Sequence, residues 1–148
     1  MECEADFQFR PKEKAEANST AWILWHLAEV TDWFLWGLLR QKPNFPFGHS
    51  HLNHPVEKPY PASKELLEYL ASSHKRYLDW LEKVEIADYE AKVEIPGFAP
   101  STWSYLLLVL PIHERSHAFQ IRYIRRLLGK PPPDTNVQNI YKNWPGQS

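Results

Sequence analysis

Three histidines carry the chemistry this sequence offers. His113 and His117 lie four residues apart in Pro111-Ile112-His113-Glu114-Arg115-Ser116-His117-Ala118-Phe119-Gln120-Ile121. That segment is largely apolar and helical in pattern. Positions i and i+4 of a helix share one face, one turn apart, so two imidazoles at this spacing can grip one metal ion. His26 sits in the middle of a second apolar helix pattern. All three fall on apolar stripes rather than on wet faces. A lone core histidine is ordinarily a hydrogen-bonded packing residue. Burying three imidazoles without partners, however, would cost roughly 1–3 kcal/mol each. A shared divalent metal removes that penalty. Three nitrogen ligands also leave a position open for water or substrate, as in catalytic zinc sites. Water held there becomes acidic enough to act as hydroxide near neutral pH.

Other residues are weaker candidates. Glu29, three residues from His26, and Asp32, six residues from it, could serve as a base or orient a ligand. Either could equally be a plain surface carboxylate. Glu114 falls off the histidine face. Arg115, Arg122 or the loop histidines could hold a substrate carboxylate, with nothing to select among them. His49, His51 and His54 form a His-x-His-x-x-His run, but in a proline-rich loop that preorganises no ligand geometry. His74 has no histidine or carboxylate four residues away and reads as a partly buried or surface residue. Cys3 lacks any activating pattern and reads as inert.

The elements that must position the histidines follow from punctuation and periodicity. Residues Met1 to Ala17 are polar, broken by Pro11, and read as an irregular lead-in. Asn18, Ser19 and Thr20 are all good N-cap types. From there Trp22, Ile23, His26, Val30, Trp33 and Gly37 form one helical stripe, widened by Leu27, Phe34 and Leu38, to about Arg40. This helix is apolar over more than half its circumference and should be central. Pro43, Pro46, Pro55, Pro59 and Pro61 make Gln41 to Ala62 a long loop. A second helix runs from Ser63 to about Val84, with Leu66, Leu67, Tyr69, Leu70, His74, Tyr77, Leu78 and Leu81 in amphipathic spacing. Lys92-Val93-Glu94-Ile95 suggests a short extended segment before Pro96-Gly97. Ser101 or Thr102 caps the last helix, Trp103 to about Leu128. Its core stripe is Leu106, Leu110, His113, His117, Ile121, Ile124 and Leu128. Pro111 should kink it. Gly129 should end it, ahead of Pro131-Pro132-Pro133.

With 148 residues, the chain suits one domain over 1–148, with a core of about 18–130 and an irregular tail over 131–148. Hydrophobic residues make up 43% and charged residues 24%, as in an ordinary globular protein. A formal net charge of −1 argues against general nucleic-acid or anionic-membrane binding. No apolar run is long enough to span a bilayer, and the acidic N-terminus is unlike a secretory signal. A single cysteine cannot form an internal disulfide, so a reducing cytoplasm is expected.

At the histidines the sequence resembles a known family. Asn18-Ser19-Thr20-Ala21-Trp22-Ile23-Leu24-Trp25-His26-Leu27-Ala28-Glu29-Val30-Thr31-Asp32 is similar to the second-helix motif of DinB/YfiT-like metalloproteins. His113-Glu114-Arg115-Ser116-His117-Ala118-Phe119-Gln120-Ile121, ending in Leu127-Leu128-Gly129, is similar to their last core helix. The resemblance covers roughly residues 7 to 130. It implies an all-α four-helix bundle, up-down-down-up, with a metal on three histidines matched by His26, His113 and His117. Zinc or nickel is the implied metal, with iron or manganese as variants. The chain departs from the pattern at its start. Only about seventeen residues precede the first motif, so the first helix is shortened or missing. Such a bundle would expose a large apolar patch on the Trp22–Leu39 helix, and a homodimer is expected to cover it.

The resemblance implies a metal-dependent enzyme acting on a small molecule. One form is an S-transferase for low-molecular-weight thiols, the other a hydrolase with a carboxylate moving protons. The competing expectation is a non-catalytic bundle with a structural metal or a partner-binding role.

Overall fold

Helix α2 is the centre of the molecule. The computed structural model describes residues 3–11, 18–39, 42–49, 60–85, 90–94 and 101–130. Its elements are α1 Glu4–Gln8, α2 Thr20–Leu39, α3 Ser63–Leu81, β1 Lys92–Val93, β2 Ser101–Thr102 and α4 Trp103–Leu127. Every residue from Ser19 to Asp32 is buried, as an all-round apolar helix requires. The start of α2 is set by Ser19, whose Oγ accepts the backbone N–H of Trp22 at 3.1 Å.

The other helices pack onto α2. From α3, Leu66 and Tyr69 meet Ala21, Leu24, Trp25 and Ala28. From α4, Ile124 meets Trp22, Ile23 and Leu27, while Leu110 meets Val30 and Phe34. The expected extended segment is real but short. β1 pairs antiparallel with β2, Lys92 opposite Thr102 and Val93 opposite Ser101, and Val93 enters the same core as Leu110. Ile95 lies outside the described residues. Helix α4 continues through Pro111, which sits on its exposed side. It ends as the glycine predicted. Gly129 has φ +68°, its N–H donates to Arg126 O at 3.0 Å, and Lys130 N–H donates to Arg125 O at 2.8 Å.

Three expectations are corrected. The lead-in is not wholly irregular, because α1 forms within it. So short a helix is unstable alone and is held by tertiary contacts. Glu4 accepts the backbone N–H of Ser63 at 3.1 Å and its hydroxyl at 2.6 Å, closing the open N-terminus of α3. These bonds lower the Glu4 pKa, the Ser63 hydroxyl most of all. Phe7 packs against the α2–α3 core, and Asp6 pairs with Lys130 at the far end of α4. In α3, which ends at Leu81 rather than Val84, Leu67 and Leu78 are exposed while Ser73 and Trp80 are buried. Finally, among the described residues α2 offers no large apolar patch, since its neighbours cover it. The exposed large apolar residues lie mainly on the outer face of α4. Among the described residues, no helix is long and apolar enough to cross a membrane.

Candidate metal centre

Helices α2 and α4 bring the three histidines to one point. Their ligating nitrogens all lie within 4.8 Å of one another. His113 Nε2 is 3.0 Å from His26 Nε2 and 3.1 Å from His117 Nε2. The spacing on α4 does what one helical turn should do, and His26 faces it from a helix buried all round. His26 and His117 are buried and His113 is partly buried.

Protons alone serve this arrangement poorly. A neutral imidazole nitrogen carries either one proton or one lone pair in the ring plane. His113 Nε2 therefore cannot make a full hydrogen bond to both neighbours. A cation that accepts all three lone pairs satisfies the whole set at once. The tautomer this needs, with the proton on Nδ1, is already held at His117, whose Nδ1–H donates to Gln120 Oε1 at 3.1 Å. His26 Nδ1 and His113 Nδ1 are buried with no hydrogen-bond partner among the described residues. That costs stability, which fits a cluster organised for a ligand rather than for the fold.

Electrostatics keep the rings ready to bind. Burial pushes His26 down to about 3, helped by repulsion from His117 and His113. Burial, then His117, pushes His113 down to about 4. Burial also lowers His117, against the opposing hydrogen bond to Gln120. All three are neutral at pH 7, the form that ligates a metal. Trp22 walls the cluster. Its ring stacks on His26 with centroids 4.6 Å apart and planes 11° apart, and it tilts against His117 at 6.3 Å.

The two carboxylates near His26 in sequence are not surface groups. Both Glu29 and Asp32 are almost fully buried, at 1% and 0% exposed. Asp32 is bound by Arg76 and by the Tyr69 hydroxyl at 2.9 Å. Burial raises the Tyr69 pKa, reinforced by Asp32, so Tyr69 stays a donor. Glu29 accepts from His49 Nδ1 at 3.0 Å and Trp33 Nε1 at 3.4 Å. Neither joins the cluster of three histidines. The ring of His49 lies against Trp33 and Phe45, so it anchors its loop to α2. His51 and His54 lie outside the described residues. His74 has a partner that its own helix could not reveal, Glu114 Oε1 on α4 at 2.7 Å. Arg115 lies over its own Phe119 ring, 5.8 Å from the centroid, and Cys3 is exposed.

Gln120 and Trp22 are the site residues that sequence reasoning passed over. Both were findable, since Gln120 lies three residues after His117 and Trp22 four before His26. A separate cavity of about 550 Å³ opens between α2, α3 and the loop after α2, with Lys42, Phe47, Tyr69 and Arg76 in its wall. None of the three histidines lines it.

Comparisons with known proteins bear on the family and the fold. The family model described as DinB superfamily matches residues 3–121. Among solved structures, the chain is similar to a conserved protein from Enterococcus faecalis. The TM-score is 0.69 and the identity 18%, over 87% of this chain and 85% of that one. At that identity the likeness speaks for the fold alone. No curated protein matches.

Proposed function

This chain belongs to the DinB superfamily, and from that premise we propose that His26, His113 and His117 hold a divalent metal ion for chemistry on a small thiol. One observation carries the reading: three neutral imidazole nitrogens converge where protons cannot satisfy them. A nitrogen set of this kind suits zinc or nickel, and also iron or manganese. Bound there, a divalent cation supplies Lewis acidity that makes a coordinated thiol or water acidic near neutral pH.

The thiol reading is favoured over hydrolysis by the surroundings of the cluster. Hydrolysis calls for a carboxylate to move protons. The two candidates, Glu29 and Asp32, are both committed to other partners. Thiol transfer asks less of the protein. His26, His113 and His117 position the reactive centre, Trp22 excludes water from one side, and Gln120 fixes the His117 tautomer.

Elemental analysis of purified protein tests the metal. One metal ion per chain is expected, lost on His113→Ala while helical circular dichroism is retained. If His26→Ala and His117→Ala leave the metal content unchanged, the ligand set is wrong. If removing the metal merely unfolds the chain, the structural-metal reading gains. Bacillithiol, mycothiol and glutathione are then screened for a metal-dependent change in thiol reactivity. No response to any of them turns the reading toward a hydrolase or a binding module.

A further inference from the structure

The cavity between α2, α3 and the loop after α2 lies apart from the histidines. Its volume, about 550 Å³, is that of an ordinary small-molecule pocket. Its walls are preformed. On α2, Asp32, Leu35 and Leu39 recur at three- and four-residue steps and share one face. Glu68, Ser72 and Arg76 do so on α3 at four-residue steps. The third wall is the loop, which is fastened to the helices at two points. Phe47 meets Trp25 and Tyr69 edge to face, with ring centroids 6.3 and 5.7 Å away. His49 bonds Glu29 of α2 at 3.0 Å. Gly48, between these anchors, takes a φ of +76° that closes a turn onto Phe45 O at 3.1 Å.

Charges along the cavity are sorted by end. Helices α2 and α3 run in the same direction, since Leu66 and Tyr69 meet the first turns of α2 while Arg76 meets Asp32. Arg76 therefore marks one end. Lys42 belongs to the same end, because its Nζ lies 6.0 Å over the ring of Trp36, about one turn beyond Asp32. Glu65 and Glu68 mark the other end. Eight residues of helix set Glu68 roughly 12 Å from Arg76 along the axis. Between the two ends the wall is apolar, with Leu35, Phe47 and Tyr69. The end groups have capacity to spare. Lys42 makes no ion pair among the described residues. Glu68 has Lys64 at 3.9 Å, with both side chains in solvent. Arg76 is matched by Asp32, but its Nη1 gives one N–H to Ser72 at 2.6 Å and carries a second.

We propose that this cavity binds a short peptide of about three residues with both termini free. Its carboxylate lies at Lys42 and Arg76, and its ammonium at Glu68. The wall sets Asp32, Glu65 and Glu68 against Lys42 and Arg76, which leaves one negative charge in excess. A simple anion is therefore opposed. A simple cation would face Lys42. A zwitterion whose charges are held apart meets both ends with the right sign. A single amino acid carries its charges too close together to do so. Three extended residues reach about 10 Å, close to the separation of the two ends. Leu35, Phe47 and Tyr69 then enclose an apolar central side chain. The fastened loop keeps this surface ready, which lowers the entropy cost of binding.

Calorimetric titration of the purified full chain with alanyl-leucyl-alanine tests the proposal. One peptide per chain is expected, with saturation by millimolar peptide. Acetylating the amine or amidating the carboxylate should each weaken binding roughly 5-fold, as partly exposed ion pairs do. Glu68→Gln should shrink the effect of acetylation and leave that of amidation. Lys42→Ala should do the reverse. Both side chains are exposed, so the helical signal should hold in each variant. Absence of saturation by millimolar peptide overturns the proposal, as does equal binding of the doubly blocked peptide. So does loss of the peptide in a His113→Ala variant of unchanged helical signal, which would seat it at the metal. Metal content is read separately and should not change in Glu68→Gln or Lys42→Ala, so failure here leaves the metal reading standing.

Discussion

Arg76 Nη2 donates to both carboxylate oxygens of Asp32, at 2.6 and 2.8 Å, and Arg76 Nε donates to Oδ1 at 3.2 Å. The pair joins α3 to the buried face of α2. Asp32 is fully enclosed, whereas the guanidinium still reaches solvent. A carboxylate so placed is tolerated only because its charge is matched and its oxygens are hydrogen-bonded.

Removing one partner should therefore be worse than removing both. Arg76→Ala leaves Asp32 with the Tyr69 hydroxyl as its remaining side-chain donor among the described residues and should destabilise the fold by about 2–4 kcal/mol. The double change Asp32→Leu with Arg76→Met should recover much of that loss. Urea midpoints of the wild type and these variants measure the difference. Equal loss in the single and double variants would mean that the pair is not the reason Asp32 is tolerated.

Gln120 tests whether the environment of His117 was built for a metal. It is exposed and contributes little packing, so Gln120→Ala should leave stability within about 0.5 kcal/mol. Zinc affinity should fall roughly 10-fold or more, because the His117 ring loses the bond that sets its tautomer. Competition with a chromophoric chelator reads the affinity. Gln120→Glu, which keeps an acceptor at that position, should restore most of it. An unchanged affinity in Gln120→Ala would detach Gln120 from the site.

The metal-free protein should weaken in mild acid. His26 and His113 ionise in the fold at about 3 and 4, against about 6.5 in the unfolded chain. Between those limits the unfolded state binds more protons, so stability rises with pH and falls as pH drops below 6.5. The loss approaches roughly 1.4 kcal/mol per pH unit for the buried His26 and less for the partly buried His113. Denaturation midpoints at pH 7, 6 and 5 follow it directly. Because the folded histidines are already neutral at pH 7, zinc binding should release almost no protons there. Calorimetry in buffers of different ionisation enthalpy should give the same heat, and a large buffer dependence would contradict the burial of these rings.

The histidine cluster was legible because helical spacing and apolar phase both belong to the local sequence. His113 and His117 could meet only on one face, and His26 sat inside a helix too apolar to lie at the surface. Local residue type likewise gave Ser19 as one of three candidate caps and Gly129 as a stop. What stayed hidden depends on distant residues. The helix of Glu4 to Gln8 exists through Ser63, Lys130 and the core around Phe7, and none of these is visible from its own five residues. Asp32 and Glu29 are left between a role at the site and the bare surface because their partners Arg76 and His49 lie far along the chain. Helix α4 is apolar on two faces. Periodicity identifies the inner one, and the outer one escapes it because an exposed patch is expected on α2, where the family's first helix reads as shortened or missing.

The link between Asp6 and Lys130 spans 124 positions of the chain. A contact of that separation closes the largest loop described in the molecule, and chain entropy opposes it until the helices between are in place. It therefore belongs to the last steps of folding rather than to the nucleus. Interactions missing from the transition state act on the rate at which the native state is lost. The salt link at the two ends of the bundle thus acts as a clasp, whose small contribution falls on the rate of opening rather than on the rate of folding.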